Sequence, residues 1–300
     1  MTLVYFNSSK FDRHEWQAAL PSDWQWVADP QKANLALLWH PHQWDFSGCS
    51  NWEHGFLLGA GVDGHRGRLK MPSGCKVFRL VDAGMGEQMA HYAGYGFLHF
   101  QRNFDRYQIH QQQNLWQPET HQPPQDYRIG ILGGGALAKT VANHLQHLGA
   151  QVVIWSHSKK PTWLKGETCF IGKGSLKAFA EHLDGTVCLL PATASTFELL
   201  NTEFFYGLRP GAFLVNLSRG SLVNEADLMA AIKRGQLRGA ILDVTQIEPL
   251  PENHAFWQHP NIWLTPHVAA TTQMQPAAEQ IVQLLNGNLD SSQYRATLSP

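Results

Sequence analysis

Apolar residues fall in short runs along this chain, separated by polar stretches whose own apolar positions recur every three or four residues. Short runs suit buried strands and the longer periodicity suits amphipathic helices, so the pattern predicts parallel sheets covered by helices. Early in the chain, residues 3–6, 35–38, 56–58 and 76–80 are the expected strands. One long helix is expected from Gly86 to about Gln113, carrying Met89, Tyr92, Ala93, Phe97, Phe100 and Phe104. Residues 111–125 are polar, and Pro118, Pro123 and Pro124 mark an exposed connector ahead of a new domain. Beyond it the alternation is regular, with strands expected at 128–132, 151–155, 186–190, 212–217, 240–244 and 261–264. Six strands with helices or turns between them suit a doubly wound, nucleotide-binding sheet. Arg234-Gly235 reads as a helix end followed by its left-handed glycine.

Composition narrows the class. The 300 residues, 43% of them hydrophobic, favour two domains over one. A net charge of −1 gives no general attraction to polyanions, so nucleic acid is not an expected partner. Cys49, Cys75, Cys169 and Cys188 form no CxxC pair, and reduced thiols in a cytoplasmic protein are expected. No metal site is expected. The first residues lack the pattern of a signal peptide, and no apolar stretch approaches the ~20 residues of a membrane span, so a membrane is not an expected partner.

The segment Tyr127-Arg-Ile-Gly-Ile-Leu-Gly-Gly-Gly-Ala-Leu-Ala138 reads as a strand, a glycine turn and the start of a helix. Gly133 suits the tight turn, Gly135 lets backbone approach a pyrophosphate, and Ala138 takes the third position, where helix packs on strand. The amides of Ala136 and Leu137 then open a helix whose positive end faces phosphate. The second strand ends at Trp155 with no acidic residue to bind a free ribose hydroxyl. Ser156, His157, Ser158, Lys159 and Lys160 follow instead, and such groups suit the 2′-phosphate of NADPH, with NADH less preferred.

Reactive side chains follow three later strands. Arg219 lies in Val215-Asn-Leu-Ser-Arg-Gly220, Glu248 in Leu242-Asp-Val-Thr-Gln-Ile-Glu-Pro-Leu-Pro251, and His267 in Leu264-Thr-Pro-His-Val-Ala-Ala270. Ligands of open α/β sheets bind beyond the carboxyl ends of the strands, which is where these three fall.

These segments and the glycine turn resemble the signatures of the NAD(P)-dependent D-2-hydroxyacid dehydrogenase family. Leu38-Trp-His-Pro41, Leu58-Gly-Ala-Gly-Val-Asp63, Asp82-Ala-Gly-Met-Gly-Glu-Gln-Met89 and Ala255-Phe-Trp-Gln-His-Pro260 resemble its bacterial glyoxylate/hydroxypyruvate reductase branch. The resemblance implies an α/β fold of two doubly wound parallel-sheet domains, a Rossmann cofactor domain and a flavodoxin-like substrate domain, with a cleft between them. Residues 1–90 plus 271–300 would form the substrate domain and 91–270 the dinucleotide-binding domain. Arg219 would grip a 2-oxo acid, a role its two-pronged donor suits better than Lys. His267 would be the general acid and Glu248 the partner that orients it. Gly59, Ala60 and Gly61 would bring backbone to the substrate carboxylate, with Trp39 bounding the pocket. Pro191 and Asp243 would belong to the cofactor site, Asp243 near the nicotinamide carboxamide. The implied reaction is NADPH-dependent reduction of small 2-oxo acids, glyoxylate to glycolate and hydroxypyruvate to D-glycerate. The apolar positions of the long helix also suit a homodimer contact.

Three positions depart from that pattern. Ala138 replaces the third glycine, His157 stands where arginine is more usual, and Thr245 stands where an aromatic residue is usual. Two alternatives therefore stand beside the main expectation: a reductase of a bulkier 2-oxo acid, and a dinucleotide-sensing interaction protein of the same fold.

Overall fold

Strands and helices alternate through nearly the whole of the computed structural model, which describes residues 1–164, 169–296 and 298. In chain order the first elements are β1 (Leu3–Ser8), α1 (Arg13–Ala19), β2 (Gln25–Val27), β3 (Leu35–Trp39), β4 (His54–Leu57) and β5 (Lys76–Arg79). Next come α2 (Met85–Gln101), α3 (Phe104–Gln112), β6 (Arg128–Leu132), α4 (Ala136–His147), β7 (Gln151–Ser156), β8 (Cys169–Ile171) and α5 (Leu176–Ala180). The remainder is β9 (Gly185–Cys188), α6 (Thr202–Gly207), β10 (Ala212–Asn216), α7 (Glu225–Lys233), β11 (Leu237–Leu242), β12 (Ile262–Leu264) and α8 (Met274–Leu285). They divide into two compact units, one of Met1–Met85 with Thr271–Pro300 and one of Gly86–Ala270.

The first unit holds a parallel sheet in the order β2-β1-β3-β4-β5, the flavodoxin-like order. The chain returns to this unit as α8, whose Ala277, Ala278, Ile281 and Leu284 repeat at helical spacing and are all buried. The second unit holds a seven-stranded parallel sheet, β12-β11-β10-β9-β6-β7-β8. Counted from β6 this is the doubly wound order 3-2-1-4-5-6 with a seventh strand added at one edge. Both faces of that sheet are covered, and successive residues divide between them. Ile129, Ile131, Val152, Ile154, Phe213, Val215 and Ile241 pack with α2 and α4. Leu132, Val153, Trp155, Leu214, Ala240 and Leu242 pack with α5, α6 and α7. A strand buried on both faces carries no polar alternation, which is why these runs read as continuous apolar stretches. The expected α/β class and parallel sheets are therefore observed.

Three local expectations are corrected. Strands β2 and β8 are additional to the expected set; each is a three-residue edge strand with partly exposed side chains, too short to leave an apolar run. The expected single long helix is two helices. Asn103 adopts a left-handed backbone (φ 58°) between α2 and α3, and its amide group donates to the Thr120 carbonyl oxygen. Arg238 from β11 fixes the break by donating to Asn103 Oδ1 (3.0 Å), to the Phe100 carbonyl oxygen (3.2 Å) and to both oxygens of the buried Asp105 (2.9 and 2.5 Å). Apolar spacing runs on from Phe100 to Phe104 and hides the interruption. The proline-rich connector is not an inter-domain link, since it lies within the second unit. It is tied back to α2 and α3 by Gln101 donating to the Gln122 carbonyl and by the Arg106–Glu119 ion pair (2.7 Å).

Among the described residues, no helix is long and apolar enough to cross a membrane, and no group of three or more His, Cys, Asp or Glu could hold a metal ion.

Breaking a buried ion pair by removing one partner typically costs about 3–5 kcal/mol, because the other charge is left uncompensated. Asp105→Ala, which strands Arg238, is expected to lower unfolding free energy by about 3 kcal/mol in urea titration.

Candidate active site

Strands β10, β11 and β12 are adjacent and parallel, so their carboxyl ends share one edge of the sheet. Arg219, Glu248 and His267 each follow one of them. Pairing continues past the strand ends, with the Asp243 amide donating to Asn216 O and the Thr265 amide to Leu242 O, both at 3.1 Å. The three loops therefore leave the sheet in register.

His267 Nδ1 lies 2.8 Å from Glu248 Oε2. Burial alone would raise the Glu248 pKa. The hydrogen bond and charge of His267, the Thr245 amide and the Arg219 charge outweigh it and hold the carboxyl below its ordinary value of 4.5. An ionised carboxylate only accepts, so Nδ1 carries the proton of this contact and Nε2 is the nitrogen left to face a ligand. The His267 backbone is left-handed (φ 56°), a sparsely populated conformation for a residue with a Cβ. Its own amide donates to the Asp243 carbonyl oxygen at 2.8 Å. The amides of Val268 and Ala269 donate to the Asp243 carboxylate at 2.8 and 2.9 Å. Asp243 is 2% exposed, and its carboxylate also accepts from Thr265 Oγ1 at 2.5 Å. It is thus engaged chiefly with its own chain.

Arg219 is set by Asn216, which is fully buried. The Asn216 amide group donates to the Arg219 carbonyl oxygen (3.0 Å), while its Oδ1 accepts from the Ser218 amide and hydroxyl. The next residue, Gly220, rests directly on the Thr245–Gln246 peptide. A Cβ there would lie 1.9 Å from the Thr245 carbonyl carbon and 2.0 Å from its oxygen. Only glycine lets the Arg219 and Glu248 loops come this close. The Glu248 loop has a second anchor, since Glu225 Oε1 accepts from the Gln246 amide (3.0 Å) and its Oε2 lies 3.2 Å from His254 Nε2.

The glycine turn lies where the strand order reverses, between β6 and β9. Gly133 has φ 135°, and a Cβ there would meet the Leu189 carbonyl oxygen at 3.1 Å, so the turn packs on the segment leading to Pro191. Gly135 caps α4 without any side-chain bond, and a Cβ there would meet nothing within 4 Å. Ala136 is exposed, Leu137 half-buried and Ala138 buried under the sheet. Open space beside uncapped amides fits a pyrophosphate. Ser156, the last residue of β7, is buried beside Gly134, whereas His157, Ser158, Lys159 and Lys160 after it are exposed.

In the other unit, Trp39 ends β3, and its ring covers Gly59 so closely that a Cβ there would sit 2.0 Å from Cζ3. Arg79 donates to the Ala60 carbonyl oxygen at 3.3 Å and the Leu80 amide to Gly59 O at 3.2 Å, which fixes the loop that also carries Gly61.

Several participants carried no signal in the sequence. Glu225 and His254 are common polar residues outside the quoted segments, and Trp163, which donates to the Gly134 carbonyl at 3.0 Å, follows an irregular loop. Only their contacts reveal them.

A protein-family model described as D-isomer specific 2-hydroxyacid dehydrogenase, NAD binding domain, matches residues 96–269. The chain is 39% identical over 297 residues to a glyoxylate/hydroxypyruvate reductase A of Yersinia enterocolitica, covering 94% of this chain and 93% of that one. Among solved structures it is similar to a D-isomer specific 2-hydroxyacid dehydrogenase of Xanthobacter autotrophicus Py2 in complex with NADPH and MES, with a TM-score of 0.88, 31% identity and 95% of each chain covered. It is also similar to an NADPH-dependent glyoxylate/hydroxypyruvate reductase of Sinorhizobium meliloti in complex with NADP and sulfate, with a TM-score of 0.84, 27% identity and 98% of each chain covered.

Overpacking a fixed contact costs about 1–3 kcal/mol. Gly220→Ala is expected to destabilise the protein by that amount in denaturant unfolding, because the obstacle is backbone and cannot rotate away.

Proposed function

Because the chain belongs to the D-isomer specific 2-hydroxyacid dehydrogenase family, we propose that it is an NADPH-dependent reductase of small 2-oxo acids, converting glyoxylate to glycolate and hydroxypyruvate to D-glycerate. The observation that carries this reading is the 2.8 Å His267–Glu248 pair, held on the same sheet edge as Arg219.

NADPH, when bound, would supply the hydride that the carbonyl carbon of the substrate takes up. His267 Nε2 gives the proton that the carbonyl oxygen takes up, and Glu248 keeps the ring oriented through Nδ1. Arg219 binds the substrate carboxylate and carbonyl through its planar fork, which aligns the carbonyl. The amides of Ala136 and Leu137 beside Gly133 and Gly135 hold the pyrophosphate, with Pro191 alongside. The exposed His157, Ser158, Lys159 and Lys160 receive the 2′-phosphate, with Ser156 behind them and NADH used less well. Trp39, Gly59, Ala60 and Gly61 are assigned to substrate binding in this reading on the strength of the family resemblance. Asp243 joins the cofactor set in this reading, and its hydrogen bonds support a structural share in the His267 loop.

Tyr95 (54% exposed), Phe104 (53%) and the fully exposed Trp116 lie on or just after α2 and α3, which supports a homodimer joined there. The free cysteines support a cytoplasmic location.

The test crosses glyoxylate, hydroxypyruvate, pyruvate and a phenylpyruvate-like acid with NADPH and NADH in steady state. The expected result is the highest kcat/KM with NADPH and the two small acids. His267→Asn should lower kcat by about 10²–10⁴-fold, and full turnover in that variant would refute the mechanism.

The pH profile checks Glu248. A carboxyl with a depressed pKa stays ionised to lower pH, and its contribution is lost only as pH falls through the depressed value. The acid limb of kcat/KM is therefore expected below 4.5, the ordinary glutamate value, and should vanish in Glu248→Gln.

A further inference from the structure

We propose that Tyr92 and Thr265 are positioning residues for His267, acting through the buried carboxylate of Asp243; this rests on the reductase reading above. Tyr92 Oη lies 2.5 Å from Thr265 Oγ1, which lies 2.5 Å from Asp243 Oδ1. The direction of these bonds follows from proton count. The Asp243 carboxylate only accepts, so the single hydroxyl proton of Thr265 goes to Oδ1, and the Tyr92 hydroxyl must donate to Thr265. The chain reads Tyr92 O–H to Thr265 O–H to Asp243, and from Asp243 outward to the amides of Val268 and Ala269.

His267 needs such a frame. Its left-handed backbone is sparsely populated and persists only where neighbouring bonds enforce it. The Asp243 carbonyl oxygen holds its own amide, and the Asp243 carboxylate holds the next two. Glu248 then restrains the ring from the other side, so the imidazole is fixed at both its backbone and its Nδ1. Tyr92 extends this frame to a different element. It lies on α2, beside Ala93 and Phe97, which are fully buried against the sheet, so the hydroxyl ties the His267 loop to a rigid helix rather than to another loop. Packing alone would be served as well by phenylalanine. The hydroxyl is what the chain of bonds uses.

Tyr92→Phe keeps the ring and deletes that hydroxyl. The expected result with glyoxylate is a kcat lowered about tenfold, the scale of a small misplacement of a catalytic group, with KM for NADPH unchanged. The His267 ring resonances, identified by their loss in His267→Asn, should shift in labelled Tyr92→Phe protein. Thr265→Ser should retain wild-type kcat, whereas Thr265→Val should lose at least as much as Tyr92→Phe. Adding Tyr92→Phe to Thr265→Val should cost nothing more, because links of one chain are not additive. Should Thr265→Val fail to fold, Tyr92→Phe and Thr265→Ser decide the matter. Additive losses, or unaltered kcat and His267 resonances in Tyr92→Phe, overturn the proposal. The resonance measurement needs no turnover. A wild-type protein inactive on every 2-oxo acid would refute the reductase reading and leave that measurement to judge the positioning role by itself.

Discussion

Parallel pairing of β10, β11 and β12 is the constraint on which the placement of Arg219, Glu248 and His267 depends. Hydrogen bonds between parallel strands fix the register of each chain against its neighbour, and every strand then ends at the same edge. Three loops distant in sequence start from one line, spaced by the width of a strand. Even short side chains meet across that spacing, as Thr265 and Asp243 do. The long side chains of Arg219 and Glu248 reach, and His267 follows the third strand closely enough to pair with Glu248. The sheet in turn depends on burial of both faces, so the helices packed on it set where Arg219, Glu248 and His267 stand.

The loops themselves are held by backbone more than by side-chain packing. Asn216 and Asp243 stand at the ends of β10 and β11, both buried, and each directs its hydrogen bonds into the loop that carries a reactive residue. Where the two loops meet, the contact is peptide against Cα, at Gly220. Such a contact has little compliance, since neither side has a rotamer to change. The ionisable partners, by contrast, are half exposed, and their pairing draws its strength from orientation rather than from exclusion of water.

Much of this was legible in the sequence, for identifiable reasons. Strands buried on both faces leave continuous apolar runs, so all but two edge strands could be located. Gly133 and Gly135 were readable from spacing as the turn between β6 and α4. Arg219, Glu248 and His267 were recognisable as a set because each follows a strand. The helix break at Asn103 was not legible, because its cause is Arg238, far away in sequence and brought near only by β11. The contact between Thr265 and Tyr92 was opaque for the same reason. A hydroxyl becomes informative only once its partner is known, and both partners here come from elsewhere in the chain.

The contact between Trp39 and Gly59 has a consequence of its own. The indole occupies the volume that any side chain at position 59 would fill, so the absent methyl group sets where the ring can lie. Residue 59 thus works as a steric stop for a neighbouring strand's aromatic group. One added carbon there would swing the ring without altering any polar atom, giving an engineer a purely geometric handle on where the indole lies.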